Sequence, residues 1–395
     1  MNLTLMRFYI SCGLAFVAGH ITNFSVIYYA QEVLESDFLS GLGFCLCFGS
    51  SIIFGWHAGV LSDRISPIKQ VIFAQSCFII AISSLLIIEN SELTQTVRTL
   101  SFVITCILTG VGWSYVAPAR LAALGRLVPI EKLHSATVIF NLLIMIGFGL
   151  APILIATSRG IWGWNGNFIM VLSFFVISTL LFLSISVRNT ASTSRQALRE
   201  LGEGFSYVRK TPLIAQSLLV AVFAYLLLGP VQVMLPRFAI EHLHLTAMER
   251  GIFLSVMALA LITGAVLCMS LFKNARHGRV ILLSLLTSGI GFIFLGNSET
   301  LASAMIFLFI SGCASGVVVS LVVALMQVQV KDELRGRIMS MYTISSQVIP
   351  ALSGLLAGTL LELVAIPNAL MANGFLLTGL ALLSLILMSR LRSYR

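Results

Sequence analysis

Twelve long apolar segments follow one another along the chain, and they constrain its fold more than any other feature. A helix that crosses a bilayer needs about 20 largely apolar residues, because only a helix or a closed barrel pairs every backbone polar group inside lipid. The segments are continuous and do not alternate apolar with polar residues, which excludes an outer-membrane barrel. The sequence therefore predicts an all-α membrane protein whose twelve transmembrane helices span residues 7–30, 38–61, 68–88, 99–124, 134–157, 167–187, 213–236, 248–271, 279–296, 301–327, 338–361 and 367–389.

The composition excludes most soluble classes of protein. Hydrophobic residues make up 58% of the 395 residues and charged residues 10%, whereas a soluble domain has about 45–50% and about 25%. A water-soluble chain of this kind would expose large apolar patches and aggregate. All seven cysteines lie within apolar segments and their number is odd, so we expect neither a disulfide framework nor a metal site.

Positive charge is distributed asymmetrically between the two sides of the predicted membrane. The chain has 24 Lys and Arg against 15 Asp and Glu, a net charge of +9. One set of loops and ends carries most of the basic residues, and the other carries only Arg98, Arg159, Arg237 and Arg250. Basic residues concentrate in cytoplasmic loops, so both termini are predicted to be cytoplasmic, in a multi-pass protein of the bacterial inner membrane. Because the net charge indicates topology, we expect no nucleic-acid partner.

A polar stretch at residues 188–212 separates two sets of six predicted spans. Acidic–basic loops of similar type precede the fifth and eleventh spans, at residues 127–133 and 328–334. Parallel repeats of this kind are typical of transporters that work as two rocking bundles. We therefore predict an N-terminal six-helix bundle at residues 1–187, a cytoplasmic linker with an amphipathic helix at 188–212, and a C-terminal six-helix bundle at 213–395.

The loop after the second span, GVLSDRISPIK at residues 59–69, resembles the G-x-L-x-D-R-x-G-R-K signature of the major facilitator superfamily as far as its arginine. The resemblance implies the fold of that superfamily, with two six-helix bundles. A helix N-terminus favours an anion, so we expect the aspartate of the motif to face the start of the eleventh span. The predicted cytoplasmic gate comprises Gly59, Asp63, Arg64, Gly336 and Arg337.

Two further segments resemble the enterobactin-exporter-like branch of this superfamily, PARLAALGRLVP at residues 118–129 and DELRGRIMS at residues 332–340. The resemblance implies secondary active transport by alternating access, with proton-coupled efflux of a siderophore or a similar small amphipathic organic solute. It implies a protein that is not an enzyme and has no cofactor. The expected partners are protons, the lipid bilayer and the small-molecule substrate, and the protein is expected to be a monomer.

Polar residues inside a membrane are costly and are therefore functional candidates. Spans one, four, seven and ten line the cavity in the superfamily that the motifs resemble. Uncharged hydrogen-bonding groups and aromatic rings there suit an amphipathic, partly aromatic solute, although each is equally suited to a helix–helix contact. The candidate cavity residues, including two from spans five and eleven, are Asn23, Trp113, Tyr115, Arg120, Asn141, Tyr225, Gln232, Gln327 and Gln347.

Two of the candidate residues within the spans, His20 and Arg120, carry a positive charge or can acquire one. His20 lies in the middle of span one on the same helical face as Asn23. Histidine titrates near neutral pH, and no Asp or Glu is predicted at mid-membrane depth, so His20 is the candidate for proton coupling. The alternative is a neutral histidine bonded to another helix. Arg120 is expected either to hold an anionic substrate group or to clamp span four to span one or five or reach the interface.

Other functions are compatible with parts of the sequence. A multidrug/proton antiporter is the alternative closest to the predicted function. Fourteen Met, seven Cys and the pair His244 and Met248 also permit a metal or metal-chelate carrier. A receptor or scaffold would need a sizeable soluble domain, which the sequence lacks. An ATP-driven pump and an intramembrane enzyme are disfavoured because neither a G-x-x-x-x-G-K-[ST] loop nor an H-E-x-x-H motif occurs.

Overall fold

The computed structural model describes residues 3–55, 58, 66–185, 197–270 and 276–394. Within these ranges all regular secondary structure is helical, which confirms the predicted all-α class. The helices are α1 Leu3–Glu32, α2 Asp37–Gly49, α3 Pro67–Glu89, α4 Gln95–Leu127, α5 Ile130–Leu183, α6 Ala197–Lys210, α7 Pro212–Leu226, α8 Leu228–Glu241, α9 Ala247–Ser270, α10 His277–Gly296, α11 Leu301–Gln329, α12 Asp332–Leu361, α13 Ile366–Leu387 and α14 Ser389–Ser393.

Within the described ranges, eleven helical segments are long and apolar enough to cross a membrane. One of them, Glu131–Leu183 of α5, has 53 residues, far more than the about 20 that one crossing needs. It is broken at Gly163, whose φ of 65° and ψ of −162° are not helical. The segment therefore makes two crossings, which gives the predicted total of twelve.

The connection between the fifth and sixth crossings is shorter than the sequence predicts. The predicted spans end at residue 157 and resume at residue 167, but helical structure continues on both sides up to Gly163. Glycine adopts a positive φ without the steric cost of a Cβ atom. A single residue can therefore redirect the chain where a polar loop was predicted.

The seventh predicted span consists of two helices. Helix α7 ends at Leu226 and α8 begins at Leu228, shortly before Pro230. Proline has no backbone N–H, so the carbonyl of Leu226 cannot receive its usual helical hydrogen bond from residue 230. The helix break at Leu227 therefore coincides with the carbonyl that Pro230 leaves without a donor, while Leu227 itself keeps helical φ and ψ of −76° and −28°.

The chain forms two compact units. The first comprises Met1–Arg195 and Ala247–Ser255, and the second comprises Gln196–Thr246 and Val256–Arg395. The start of α9 therefore belongs to the first unit. The predicted bundle boundaries at residues 187 and 213 stay a prediction.

Helix α1 forms the centre of the first unit. Every residue from Ala18 to Gln31 is buried, as expected for a helix that is apolar on all sides. Phe16 meets Phe140 of α5 edge to face, with ring centroids 5.1 Å apart. Beside this pair, a Cβ atom at Gly147 would lie 2.9 Å from the backbone of Phe16, so α1 and α5 approach each other at a position that only glycine permits.

Small and hydroxyl-bearing residues hold α10 against its neighbours in the second unit. Ser288 lies 2.8 Å from the hydroxyl of Ser315 and 3.2 Å from that of Ser311, both on α11. On the other side, a Cβ atom at Gly374 of α13 would lie 2.7 Å from the backbone nitrogen of Ile293. Helix α6 lies within the stretch predicted to be a linker, and Phe205 on it is 64% exposed; the role of the stretch as a linker stays a prediction.

Candidate functional site

His20 lies in an aromatic cluster inside the first unit. Its side chain is 7% exposed, and its ring centroid lies 5.2 Å from that of Trp113 and 5.5 Å from that of Phe148. Neither ring nitrogen has a hydrogen-bond partner among the described residues. The structure therefore places the predicted proton-coupling residue between aromatic rings, and not in the hydrogen bond to another helix that was the alternative.

Trp113 connects the members of this cluster. Its indole Nε1 donates a hydrogen bond of 2.9 Å to Oδ1 of Asn23. Phe48 stacks on the indole at 6.1 Å, and Phe78 meets it edge to face at 5.7 Å. Phe24 stacks on Phe148 at 5.8 Å, next to His20. We call His20, Asn23, Phe24, Phe48, Phe78, Trp113 and Phe148 the Trp113 cluster.

The local sequence explains how the Trp113 cluster forms. His20, Asn23 and Phe24 lie at i, i+3 and i+4 and so share one face of α1. Gly19 lets the indole approach this helix, since a Cβ atom there would lie 2.7 Å from Cζ2 of Trp113. The buried cluster combines aromatic rings with the Asn23 amide nitrogen and the His20 imidazole, neither of which bonds to another described residue. Rings with few hydrogen-bonding groups are the kind of set that suits a planar amphipathic solute.

Arg120 lies apart from the Trp113 cluster and is fully buried. Its Nη1 donates to Oγ of Ser11 and lies 3.2 Å from Sγ of Cys12, and Nη2 donates to Oγ of Ser178 at 3.0 Å. Its guanidinium carbon lies 5.0 Å from the centre of the Phe182 ring. Arg120 therefore joins α4 to α1 and to the sixth crossing through Nη1 and Nη2, while its Nε makes no hydrogen bond within the described part of the chain.

The other predicted cavity residues fall into several environments. Tyr115 is 4% exposed and meets Phe73 of α3 edge to face at 5.2 Å, so it does not join the Trp113 cluster. Asn141 and Gln327 are exposed, and Gln347 is half-buried. Gln232 is 2% exposed, and its Oε1 accepts no hydrogen bond within the described part of the chain.

The second unit contains a pair of tyrosines, of which only Tyr225 was predicted as a cavity residue. The hydroxyl of Tyr225 donates to that of Tyr342 at 2.6 Å. Tyr342 lies on α12, one helical turn before Ser345, and it was not among the cavity candidates that the sequence suggested. Its signal was the same as that of Tyr225, a lone phenol within an apolar span.

The predicted cytoplasmic gate is only partly described. Gly59, Asp63 and Arg64 lie outside the described residues. Gly336 is exposed with open space around its Cα, and Arg337 is half-buried beside Gly204 of α6. The gate stays a prediction.

An ion-pair cluster in the first unit was not predicted as a site, although the sequence analysis had noted its two arginines in the loops that carry few basic residues. Both oxygens of Glu32 accept hydrogen bonds from Arg159, and Oε1 also accepts from Nη1 of Arg250 at 2.9 Å. We call these three residues the Glu32 cluster. Among the residues that the structure describes, no group of three or more His, Cys, Asp or Glu could hold a metal ion.

Helices of this number and length define a multi-pass membrane protein. The chain belongs to the Major Facilitator Superfamily, whose family model matches residues 8–354.

Three similar proteins agree with this assignment. The chain is 25% identical to a protein named Enterobactin exporter EntS from Shigella boydii serotype 4 (strain Sb227), over 100% of this chain and 96% of the relative. A POT family transporter solved in complex with 5-aminolevulinic acid superposes with a TM-score of 0.77 at 13% identity, covering 98% and 96% of the two chains. A mutant form of the nucleoside transporter NupG has a TM-score of 0.77 at 12% identity, covering 98% and 99%. These two structures are similar to the chain in fold.

Proposed function

We propose that the protein exports a small amphipathic organic anion with aromatic character, such as a siderophore, in exchange for protons and by alternating access. The observation that carries the proposal is the Trp113 cluster, which offers stacking surfaces and few hydrogen-bonding groups inside the first unit. Full-length similarity to proteins named as enterobactin exporters supports the substrate class. The two-bundle organisation, an inner-membrane location, cytoplasmic termini and a monomeric state belong to the same proposal.

A deletion strain tests the direction of transport and the class of solute. Cells that lack the gene and are starved of iron are expected to accumulate an aromatic siderophore or its fragments inside, because iron limitation induces siderophore synthesis in cells that make one. Metabolite profiling of washed cells, with and without added iron, measures this. Restoring the gene with Trp113→Ala is expected to leave the accumulation uncorrected, whereas Trp162→Ala, which alters a ring 65% exposed on α5, is the matched control. Unchanged intracellular pools in the deletion strain would contradict export.

The imidazole of His20 is proposed to take part in proton coupling. Replacing His20 with glutamine keeps a side chain of similar size with hydrogen-bonding groups but removes titration. In reconstituted vesicles, uptake driven by an imposed pH gradient is expected to fall to the level without a gradient. Counterflow, which needs no net proton movement, is expected to persist. His242→Gln is the control, because His242 stacks on Phe238 at the end of α8 and lies outside the Trp113 cluster. Wild-type pH dependence in His20→Gln would assign the proton to another group.

A multidrug antiporter is the second candidate function. The faces of Trp113, Phe48 and Phe148 are also suited to a lipophilic cation, which aromatic rings attract through their quadrupoles. Tetraphenylphosphonium distinguishes the two, because binding of this cation without binding of aromatic carboxylates would favour the antiporter.

A further inference from the structure

The Glu32 cluster carries an excess of positive charge. Two guanidinium groups share one carboxylate, so the three side chains have a net charge of +1. Glu32 accepts three of the hydrogen bonds that the two arginines can donate, and each guanidinium has five N–H groups. The cluster therefore has both the charge and the donors to bind a further oxyanion.

Aromatic rings hold both guanidinium groups in place. The guanidinium carbon of Arg159 lies 3.9 Å from the centre of the Trp164 ring, and that of Arg250 lies 4.8 Å from the centre of the Tyr28 ring. A guanidinium that lies on a ring donates through its edge, and this arrangement matches the planar shape of a carboxylate. The donors are thus oriented before an anion arrives.

Glu32 occupies this arrangement from a partly exposed position at the end of a helix. It is the last residue of α1, where the helix dipole disfavours a negative charge. Its side chain is 24% exposed, so water can solvate the carboxylate when an incoming anion takes over its donors. Glu32 can therefore be displaced more readily than a buried counter-ion.

A second polar group beside the arginines has no partner. The hydroxyl of Tyr28 belongs to a side chain only 2% exposed, and it makes no hydrogen bond within the described part of the chain. Buried hydroxyl groups are normally bonded. Since the ring of Tyr28 supports Arg250, an anion bound there with a second polar group would supply the missing partner.

We propose that Arg159 and Arg250 form a binding site for an oxyanion of the transported solute, and that Glu32 occupies this site when the solute is absent. The class of ligand is an aromatic carboxylate or another planar oxyanion, which the rings of Trp164 and Tyr28 would flank. The proposal rests on the proposed function for the identity of the ligand, but not for the existence of the site. In this proposal the carboxylate of the solute and that of Glu32 compete for the same guanidinium donors, so that binding of one displaces the other.

Binding of 2,3-dihydroxybenzoate to the purified full-length protein in detergent tests the proposal. Glu32→Gln removes the competing carboxylate and is expected to tighten binding on the order of tenfold, measured by calorimetry. The neutral 2,3-dihydroxybenzamide is expected to bind both proteins alike. Arg159→Lys, which keeps the charge but loses the paired donors, is expected to weaken binding of the acid. Weaker or unchanged binding of the acid by Glu32→Gln would overturn the site and leave a purely structural ion-pair cluster.

Two controls keep the test decisive. Glu241→Gln removes the carboxylate of the pair with Arg237, 2.8 Å apart on one face of α8, and is expected to leave binding of the acid unchanged. If Glu32→Gln does not fold, Arg250→Gln is compared with the double variant Glu32→Gln/Arg250→Gln. Of these two proteins, only the double variant lacks the Glu32 carboxylate that competes for Arg159. Equal binding by these two would also overturn the site. If the binding pattern is as expected but the wild-type protein does not export the aromatic acid, the site would stand and the proposed function would be contradicted.

Discussion

Arg120→Ala is expected to lower the free energy of unfolding by about 3 kcal/mol, because it deletes a fully buried side chain and leaves a void. Its hydroxyl partners Ser11 and Ser178 would also lose charge-assisted hydrogen bonds. Arg120→Met fills a similar volume without a charge. Within the described residues no carboxylate forms an ion pair with Arg120, so only neutral groups offset the cost of burying its charge. A buried ion can often be replaced by an apolar side chain without loss of stability. We therefore expect Arg120→Met to stay within about 1 kcal/mol of the wild type.

Unfolding of the detergent-solubilised variants by denaturant, followed by circular dichroism, measures both changes. The same pair of variants also separates the two predicted roles of Arg120. Because Nη1 and Nη2 are bonded to protein hydroxyls, we expect the methionine variant to transport like the wild type, as it would if Arg120 were a structural clamp. Normal stability with loss of transport in Arg120→Met would show that the guanidinium binds the solute.

Gly110→Ala is expected to have a comparable effect on stability through steric overlap. A Cβ atom at this position would overlap the carbonyl oxygen of Leu46 and would lie 2.7 Å from Cβ of Ser50. A backbone atom cannot move aside as a flexible side chain can, so α2 and α4 would have to separate. Overpacking of this kind costs about 1–3 kcal/mol or more, and we expect a value near the upper end.

Gly125→Ala is the matched control, since Gly125 lies on the same helix with no atom within 4 Å of the added Cβ. In an exposed helical position alanine is favoured over glycine by about 1 kcal/mol, so this variant is expected to be as stable as the wild type or slightly more stable. Thermal unfolding of both variants, monitored by tryptophan fluorescence, provides the comparison. Equal stability of the two variants would mean that α2 and α4 are not packed as closely as the structure has them.

Hydropathy alone predicted most of the fold, because the requirement to satisfy backbone groups in lipid leaves few alternatives. The turn at Gly163 escaped prediction, since a single residue with a positive φ has no compositional signature comparable to a polar loop. The break between α7 and α8 also escaped prediction, because it depends on the Leu226 carbonyl that Pro230 leaves without a donor.

The candidate site was less accessible from sequence. Helical spacing placed His20 and Asn23 on one face, but nothing local to α1 indicates that Trp113 fills the space between them. Arg120 was expected to contact the first or fifth span, and its second partner proved to be Ser178 of the sixth crossing. In the Glu32 cluster, Arg159 lies 127 positions and Arg250 lies 218 positions after Glu32 in the sequence. Pairings over such separations depend on packing that hydropathy does not determine.

The single-residue turn at Gly163 fixes the number of residues that can connect the two helical segments on either side of it. Arg159 precedes the turn and Trp164 follows it, and the two side chains stack across it at 3.9 Å. One residue added after Gly163 would rotate the start of the following helix by about 100°, the angle per residue of an α-helix, and would carry the indole away from the guanidinium. Insertions and deletions in this segment are therefore incompatible with the stack, and the segment is a poor place for an epitope tag or a fusion partner.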